Sequence, residues 1–336
     1  MKRIGILTLM LLGATLIHAS PASEWSLTNH LHGIKTYQRS TPGSSLLDLK
    51  GITVINARME NFGQVLRDLD AFPQWMDMCK QADLVSRIDE NNMTLHIVFD
   101  FPVVSNRDLV VKADTVYDLS KARGIVTLNL VKNSAVPVPK GVLRMPEFTG
   151  TYVFEYITRE KTGVIYTYHA DPGGYLPAFA VNIVGKYMLY RTLKNLGVMV
   201  KKPPYVQGGL RSKDRALFEN ILSDEKRVKA ILKARLLEYC RDQDMIERVV
   251  ADKNIVDLLV KGDGTLIEQL FLSWGSRDNL EQAVHTILLT HAPRYTSDAK
   301  LIERIAQNKA LIDTIIDGSR PGQPTSQEII QTLLVS

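Results

Sequence analysis

The fold of this chain is decided by the stretch His169-Ala170-Asp171-Pro172-Gly173-Gly174-Tyr175-Leu176-Pro177, where an alternating strand pattern runs into two glycines. Pro-Gly and Gly-Gly pairs are typical of turns. Pro177 suits the first turn of a helix, where its missing N–H removes no helical hydrogen bond. We therefore predict a strand that ends near His169, a turn at Gly173 and Gly174, and a helix that begins near Pro177.

The sequence before this junction predicts a β-sheet and two short helices. Residues 24–37 form a lead-in, and residues 60–69 have the apolar spacing of a helix. A second short helix is expected to carry Trp75 and Cys79. Strands are predicted over 49–58, 95–101, 109–117, 124–131, 151–157 and 164–169. Their spacing is typical of an antiparallel meander, and a curved sheet of that kind needs an element that covers its concave side.

The segment after the junction is predicted to be one amphipathic helix of about twenty residues. Its apolar residues fall at steps of three or four, at Phe179, Ile183, Tyr187, Tyr190, Leu193 and Leu196. The same spacing fits a helix packed on a solid core and a helix that covers a compartment. Two prolines at 203–204 and the glycines at 208–209 end it and indicate a linker.

From about residue 210 the β-branched alternation gives way to helical periods separated by short polar breaks. No repeat of fixed length is present, so an all-helical domain is favoured over a solenoid. The predicted organisation is a signal peptide at 1–22, a mixed sheet and helix domain at 23–203, and a helical domain at 204–336.

The N-terminus has the pattern of a secretory signal peptide. Two basic residues precede the apolar run 4–17, and small residues follow around Ala19 and Ala22, the two expected cleavage points. We therefore expect a periplasmic protein. An oxidising compartment permits a disulfide between Cys79 and Cys240, but two buried thiols are equally consistent with the sequence. The net charge of +5 is too small to indicate a nucleic-acid partner.

The sequence contains no nucleophile elbow, zinc-protease motif, phosphate-binding loop or dinucleotide fingerprint. We therefore predict no catalytic residue, metal site or cofactor. Arg144 stands out because it lies between apolar neighbours. A buried arginine must be paired or offered a polar ligand atom, whereas a surface arginine can lie over the sheet with its head group in water.

Several segments together resemble the START domain, the StAR-related lipid-transfer module. They are Trp75, residues 101–110 (Phe-Pro-Val-Val-Ser-Asn-Arg-Asp-Leu-Val), residues 141–145 (Gly-Val-Leu-Arg-Met), residues 168–177 and Asn182. They occur in the family's order and approximate spacing, and the resemblance covers about residues 25–201. The Arg-Asp turn and the Asp-Pro-x-Gly-x-Leu-Pro junction are specific in combination, although each alone is weak.

This resemblance implies an α+β helix-grip fold, in which a curved antiparallel sheet wraps around a long C-terminal helix and encloses an apolar tunnel. It implies binding and transfer of a lipid or sterol-like molecule, with transient membrane contact, rather than catalysis. By carry-over, the predicted ligand-binding residues are Arg144, His169, Asp108, Phe99, Phe179, Ile183 and Tyr187. Export and the helical region beyond residue 210 depart from the family pattern.

Two other functions remain open from the sequence. Related helix-grip folds include cyclases and aromatases, for which Arg144, His169 and Tyr168 could supply an acid or a base. Alternatively, residues 210–336 could dock an envelope protein while the sheet domain serves a structural role.

Overall fold

The computed structural model describes residues 25–219, 221–222, 224–274, 277–294, 296–319 and 322–335. The predicted signal peptide lies outside the described residues.

Ten strands form one curved sheet in the described part of the chain, in the order β1-β2-β3-β10-β9-β7-β6-β5-β4. All neighbours are antiparallel except the short β8, which pairs in parallel with β6. The strands are β1 (Ser26–Leu31), β2 (Ile34–Ser40), β3 (Leu47–Ile55), β4 (Cys79–Arg87), β5 (Asn92–Phe99), β6 (Asn106–Asp118), β7 (Arg123–Leu130), β8 (Val142–Arg144), β9 (Glu147–Thr158) and β10 (Lys161–Asp171).

Three helices belong to the sheet region, and the long one covers the concave face of the sheet. They are α1 (Met59–Arg67), α2 (Phe72–Trp75) and α3 (Ala178–Met199). Helix α3 approaches β3 so closely that a Cβ added to Gly51 would clash with Leu193 Cδ1. The fold class predicted from the sequence is thus confirmed, because a curved antiparallel sheet encloses a long helix.

The turn before α3 has the backbone that its glycines predict. Gly173 and Gly174 have φ values of 67° and 78°, a region that side chains with a Cβ rarely adopt. Pro177 is the residue before the helix and caps it in an extended conformation, so α3 begins one residue later than expected.

The described part of the remaining chain consists of helices joined by short turns and contains no strand. Its helices are α4 (Pro203–Arg211), α5 (Asp214–Phe218), α6 (Glu225–Tyr239), α7 (Gln243–Ala251), α8 (Lys253–Val260), α9 (Thr265–Leu272), α10 (Arg277–His291), α11 (Ala299–Ala306), α12 (Lys309–Asp317) and α13 (Ser326–Val335). Helix α4 packs on α1 and helix α9 packs on β3 and β9. The division into two independent domains at residue 203 stays a prediction.

Four strands were not predicted from the sequence: β1, β2 and β4 lie at the two ends of the sheet, and the three-residue β8 pairs with β6. The lead-in forms β1 and β2, and Cys79 begins β4 instead of lying on a short helix. All six residues of β1 and most of β4 are exposed. Edge strands carry polar and charged residues on both faces, so their alternation is weak.

Cys79 and Cys240 are both buried and unpaired. Burial raises the pKa of each thiol to about 12, which makes them inert structural residues. Within the described ranges, no helix combines the length and the apolar character needed to cross a membrane.

Candidate functional site

A cavity of about 260 Å³ lies between the concave face of the sheet and the first two thirds of α3. Its walls are overwhelmingly apolar and come from both layers of the fold. Residues of β3, β5, β6 and β10 form the sheet side, and Ala180, Val184, Gly185 and Met188 form the helix side. An apolar compartment of this kind favours the transfer of an apolar molecule from water.

Strand alternation decides which sheet residues reach the cavity. On β6, Arg107, Leu109 and Val111 line it, and on β10, Tyr166 and Tyr168 do so. Side chains two residues apart share one face of a strand, so their immediate neighbours point to the opposite face. This one-residue difference separates the residues that can touch a ligand from those that cannot.

The first half of the helix side of the cavity contains several small side chains, such as those of Ala180, Val184 and Gly185. Gly185 sits so close to the sheet that an added Cβ would lie 2.8 Å from Leu49 Cδ1 and 3.2 Å from the Tyr168 hydroxyl. The same hydroxyl donates a 2.7 Å hydrogen bond to the carbonyl of Gly185. Asn182 accepts from the Leu47 amide at 3.1 Å and donates to the Ser45 carbonyl at 3.2 Å. These bonds fix the start of α3 over the sheet.

The prediction that Phe179, Ile183 and Tyr187 line the cavity is corrected by the structure. They are 70%, 62% and 56% exposed, respectively, and form a stripe on the outer side of α3. Helical spacing identified a continuous apolar face, but that face looks outward. The predicted lining set omitted the inward face, where Ala180, Val184 and Gly185 have small side chains.

Asp108 and Arg144 also lie outside the cavity, where they form an ion pair on the other face of β6. Arg144 donates from Nε and Nη2 to the fully buried Asp108 carboxylate, at 2.8 and 2.7 Å. His96 Nε2 lies 2.8 Å from the same carboxylate. Burial opposes ionisation of Asp108, but the bonds to Arg144 and His96 outweigh it and lower the pKa of this carboxyl. Of the two interpretations of Arg144, a paired arginine and a surface arginine with its head group in water, the first is correct. Its partner is the Asp108 carboxylate.

His169 likewise points away from the cavity, as expected for a residue between Tyr168 and Ala170, which both line it. Its Nδ1 lies 3.0 Å from Asp48 and 3.3 Å from the Thr41 hydroxyl. Phe99 is therefore the one residue of the predicted set that lines the cavity.

Arg107 is a polar cavity residue that the sequence analysis missed. It is 2% exposed, and it donates to the carbonyls of Pro172 at 3.1 Å, Gly173 at 3.2 Å and Ser105. No carboxylate of the described residues forms an ion pair with it, and burial lowers the pKa of its guanidinium. It lies two residues before Leu109 and shares its face of β6, but the sequence held no signal that this face borders the cavity.

Asp77 is the second charged residue of the cavity wall that was missed. It follows α2 and is buried, with one carboxylate oxygen 3.0 Å from Arg191 Nε. Its amide donates to the Thr192 hydroxyl at 3.1 Å, which ties it to the later part of α3. Burial raises the pKa of this carboxyl, although the charge of Arg191 acts in the opposite direction.

A smaller pocket of about 70 Å³ adjoins the cavity. Met76, Ile97 and Leu128 line both spaces and so form the partition between them. Met76 can change its shape at low cost because methionine has three flexible side-chain bonds. Among the described residues, no group of three or more histidine, cysteine, aspartate or glutamate side chains is arranged to hold a metal ion.

Comparison with known proteins identifies the family that this architecture represents. The START domain profile matches residues 19–202, which is more than half of the 336-residue chain. The chain belongs to the START domain family. The resemblance inferred from the sequence is thus confirmed, and the helices from α4 onward follow the matched region.

Three relatives illustrate the similarity. The crystal structure of a STAR-related lipid transfer protein fragment from Xanthomonas axonopodis is 29% identical, with a TM-score of 0.50, covering 53% of this chain and 99% of that one. An uncharacterized protein of Pseudomonas aeruginosa is 26% identical over 59% of this chain and 98% of its own length. Phosphatidylcholine transfer protein of Mus musculus is 24% identical over 53% of this chain and 84% of its own.

Proposed function

We propose that this START domain protein binds a lipid or another hydrophobic molecule in the cavity beneath α3 and transfers it without covalent chemistry. The observation that carries the proposal is the apolar compartment of about 260 Å³ closed by α3. The names of the Xanthomonas and mouse relatives support lipid transfer as the class of activity. Arg107 and Asp77 are the polar residues that would orient the ligand.

Two consecutive residues of α3 allow a matched test of binding. Val184 lines the cavity, whereas Ile183 lies on the outer face. Val184→Trp should fill the compartment and reduce the amount of lipid found by mass spectrometry in solvent extracts of the purified protein. Ile183→Trp should leave that amount unchanged. Equal lipid content in both variants, or protein that never carries or takes up a lipid, would refute the proposal.

Transfer also requires contact with a membrane, and the outer face of α3 is suited to it. Phe179, Ile183 and Tyr187 are exposed, and the fully exposed Tyr175 and Val103 lie beside cavity residues in the neighbouring segments. Exposed aromatic and aliphatic side chains of this kind insert into the boundary of a bilayer. We propose that this surface brings the cavity to the lipid.

The membrane step can be separated from binding. Phe179→Ser with Tyr187→Ser should slow transfer of a fluorescent phospholipid between vesicles severalfold, while the ligand content of the purified protein stays constant. Leu258→Ser, at an exposed position of α8, is a control far from the cavity in sequence. Transfer at the wild-type rate by the double variant would contradict membrane contact through this face.

We further propose that residues 1–22 direct the protein to the periplasm. The support is the basic, apolar and small-residue pattern of that segment. N-terminal sequencing of protein from a periplasmic fraction should begin after Ala19 or Ala22. Recovery of the full-length chain from the cytoplasm would contradict this.

An enzymatic role receives no support from the placement of the proposed acid and base. His169 faces away from the cavity, and the Tyr168 hydroxyl is engaged by the Gly185 carbonyl.

A further inference from the structure

The cavity wall contains one charged oxygen atom whose environment is incomplete. Asp77 Oδ2 is buried and has no hydrogen-bond partner among the described residues, although the other oxygen of the same carboxylate pairs with Arg191. The Asp77 side chain is 6% exposed. A buried carboxylate oxygen that accepts no hydrogen bond is costly, so native structures normally supply it with a donor.

The position of Asp77 places this atom where a ligand can reach it. Asp77 and Thr192 both line the cavity and are joined by the bond from the Asp77 amide to the Thr192 hydroxyl. Arg107 binds the Gly173 carbonyl, just before α3 begins, whereas Asp77 binds Thr192 on α3. At 1.5 Å per residue, Thr192 lies about 21 Å along the helix axis from Ala178, the first residue of α3. The two charged groups therefore lie toward opposite ends of the compartment.

We infer that Asp77 forms a subsite for a hydrogen-bond donor, a hydroxyl or an amine, carried by an otherwise apolar ligand. This rests on the proposed function, because it requires that the cavity holds a ligand. The donor would complete the coordination of Oδ2, while the surrounding apolar side chains, Met76, Met78 and Leu189 among them, accept the hydrocarbon body. A ligand without a donor would leave the oxygen unpaired.

The raised pKa of Asp77 is consistent with a carboxylate that its protein neighbours stabilise incompletely. Arg191 is the cation paired with it and approaches from the solvent side, since the Arg191 side chain is 47% exposed, and the Met78 backbone amide gives the carboxylate a smaller stabilisation. A hydrogen bond to a charged acceptor that is otherwise buried and unpaired changes affinity by about tenfold or more.

Three simple probes test the inference on delipidated full-length protein by isothermal titration calorimetry. Dodecan-1-ol offers a hydroxyl, dodecylamine offers an ammonium group, and 1-methoxyundecane is an isomer of the alcohol with no donor. The wild-type protein should bind the alcohol, the amine or both about tenfold more tightly than the ether. The relative affinities of the alcohol and the amine show which donor the subsite prefers.

Asp77→Leu should remove this preference while retaining binding of the ether. Asp70→Leu is the matched control, because it removes an exposed carboxylate that lies outside the cavity wall, and it should keep the preference. If Asp77→Leu fails to fold, Asp77→Asn keeps the shape and should lose the preference for the amine over the ether.

The outcomes separate the two proposals. Equal binding of alcohol, amine and ether by the wild-type protein, or an unchanged preference in Asp77→Leu, would overturn the donor subsite and leave lipid binding intact. Failure of all three probes to bind would refute the proposed function and this inference with it.

Discussion

Arg107 and Asp108 are consecutive residues of β6 that serve opposite faces of the sheet. Arg107 lines the cavity and holds the turn before α3 through the carbonyls of Pro172 and Gly173. Asp108 is fully buried behind the sheet, where it binds Arg144 and His96. The Arg-Asp pair therefore combines a ligand-side residue with a structural one, and the two should differ when they are substituted.

Asp108→Asn should destabilise the fold without changing which ligands bind. The change leaves Arg144 and His96 without their carboxylate, and breaking a buried ion pair costs about 3 kcal/mol or more. Urea unfolding should show this loss, and the ligand content of the surviving folded protein should match the wild type. A large change in ligand content at unchanged stability would place Asp108 in the binding site after all.

The same carboxylate has a predictable pH dependence. The pKa of Asp108 is lowered in the folded state, so its contribution to stability is complete above the pKa of the unfolded chain, about 3.9. That contribution is lost as the pH falls through the folded-state pKa. The wild-type protein should therefore lose more stability than Asp108→Asn on acidification below about pH 4, measured by urea unfolding. Parallel curves for the two proteins would contradict the assignment.

Arg107→Met should accelerate ligand release. The three carbonyls that Arg107 holds are those of Ser105, Pro172 and Gly173, and all lose their charged donor, so the start of α3 is less firmly held. One hydrogen bond from a charged donor corresponds to about tenfold in rate or affinity. Stopped-flow release of a fluorescent fatty acid should be about that much faster. Arg107→Lys keeps the charge but cannot make three directed bonds, so an intermediate rate is expected.

The sequence was sufficient for the central strands, for α3 and for the family, because these elements have strong alternation or helical spacing. It was insufficient for the site because Leu109, Val110 and Val111 are all apolar and all buried. With both faces of β6 covered, alternation cannot reveal which face borders the cavity. Asp77 could not be predicted either, since its significance depends on a carboxylate oxygen that no neighbour satisfies.

The apolar residues of α3 fall into two groups, one buried and one exposed, and the sequence alone does not distinguish them. Large apolar residues such as Leu193 and Leu196 are buried in the core, whereas Phe179 and Ile183 follow the same spacing and are exposed. The periodicity records apolar surface, but it does not say whether protein or another apolar phase covers that surface. Phe179 and Ile183 were wrongly predicted to line the cavity because they are apolar, and their exposure on the outer face is what supports membrane contact.

Because Lys50 is buried, we predict that the free energy of unfolding increases at alkaline pH. It is buried, with Nζ 4.3 Å from the centre of the Trp25 ring. Burial, with a smaller contribution from the charge of Arg39, lowers the pKa of Lys50 to about 8. The pKa of a lysine in the unfolded chain is about 10.4. Between the folded-state pKa and the unfolded-state pKa, the unfolded chain binds more protons than the folded protein, so the free energy of unfolding increases with pH.

Lys50→Met keeps the apolar stem and removes the titration. We expect the variant to be more stable than the wild type near pH 7, with a difference that shrinks toward about pH 10. Urea unfolding across this range measures it, and Lys80→Met, at an exposed position of β4, controls for the loss of one positive charge. A difference that does not vary with pH would show that Lys50 does not titrate in this interval.

The helical region is joined to the sheet by a buried arginine of α6. Arg235 is 1% exposed and donates to the carbonyls of Lys121 at 3.0 Å and Tyr156 at 2.8 Å. Its Nε also lies 3.5 Å from Glu155, which accepts a 2.7 Å hydrogen bond from Arg123. These contacts connect α6 to the turn before β7 and to β9, and they are buried.

Arg235→Met should loosen the attachment of α6 to the sheet. The change removes the donors to two buried carbonyls and one of the cations beside Glu155, at a cost of about 3 to 5 kcal/mol. Lys233→Met is the control on the same helix, because its ion pair with Glu247 is exposed and such pairs contribute about 0 to 1 kcal/mol. Limited proteolysis should separate the helical region from the sheet region much faster in the Arg235→Met variant than in the control. Similar cleavage of both would mean that apolar packing, such as that of Phe271 against Gly163, is enough to hold the helical region in place.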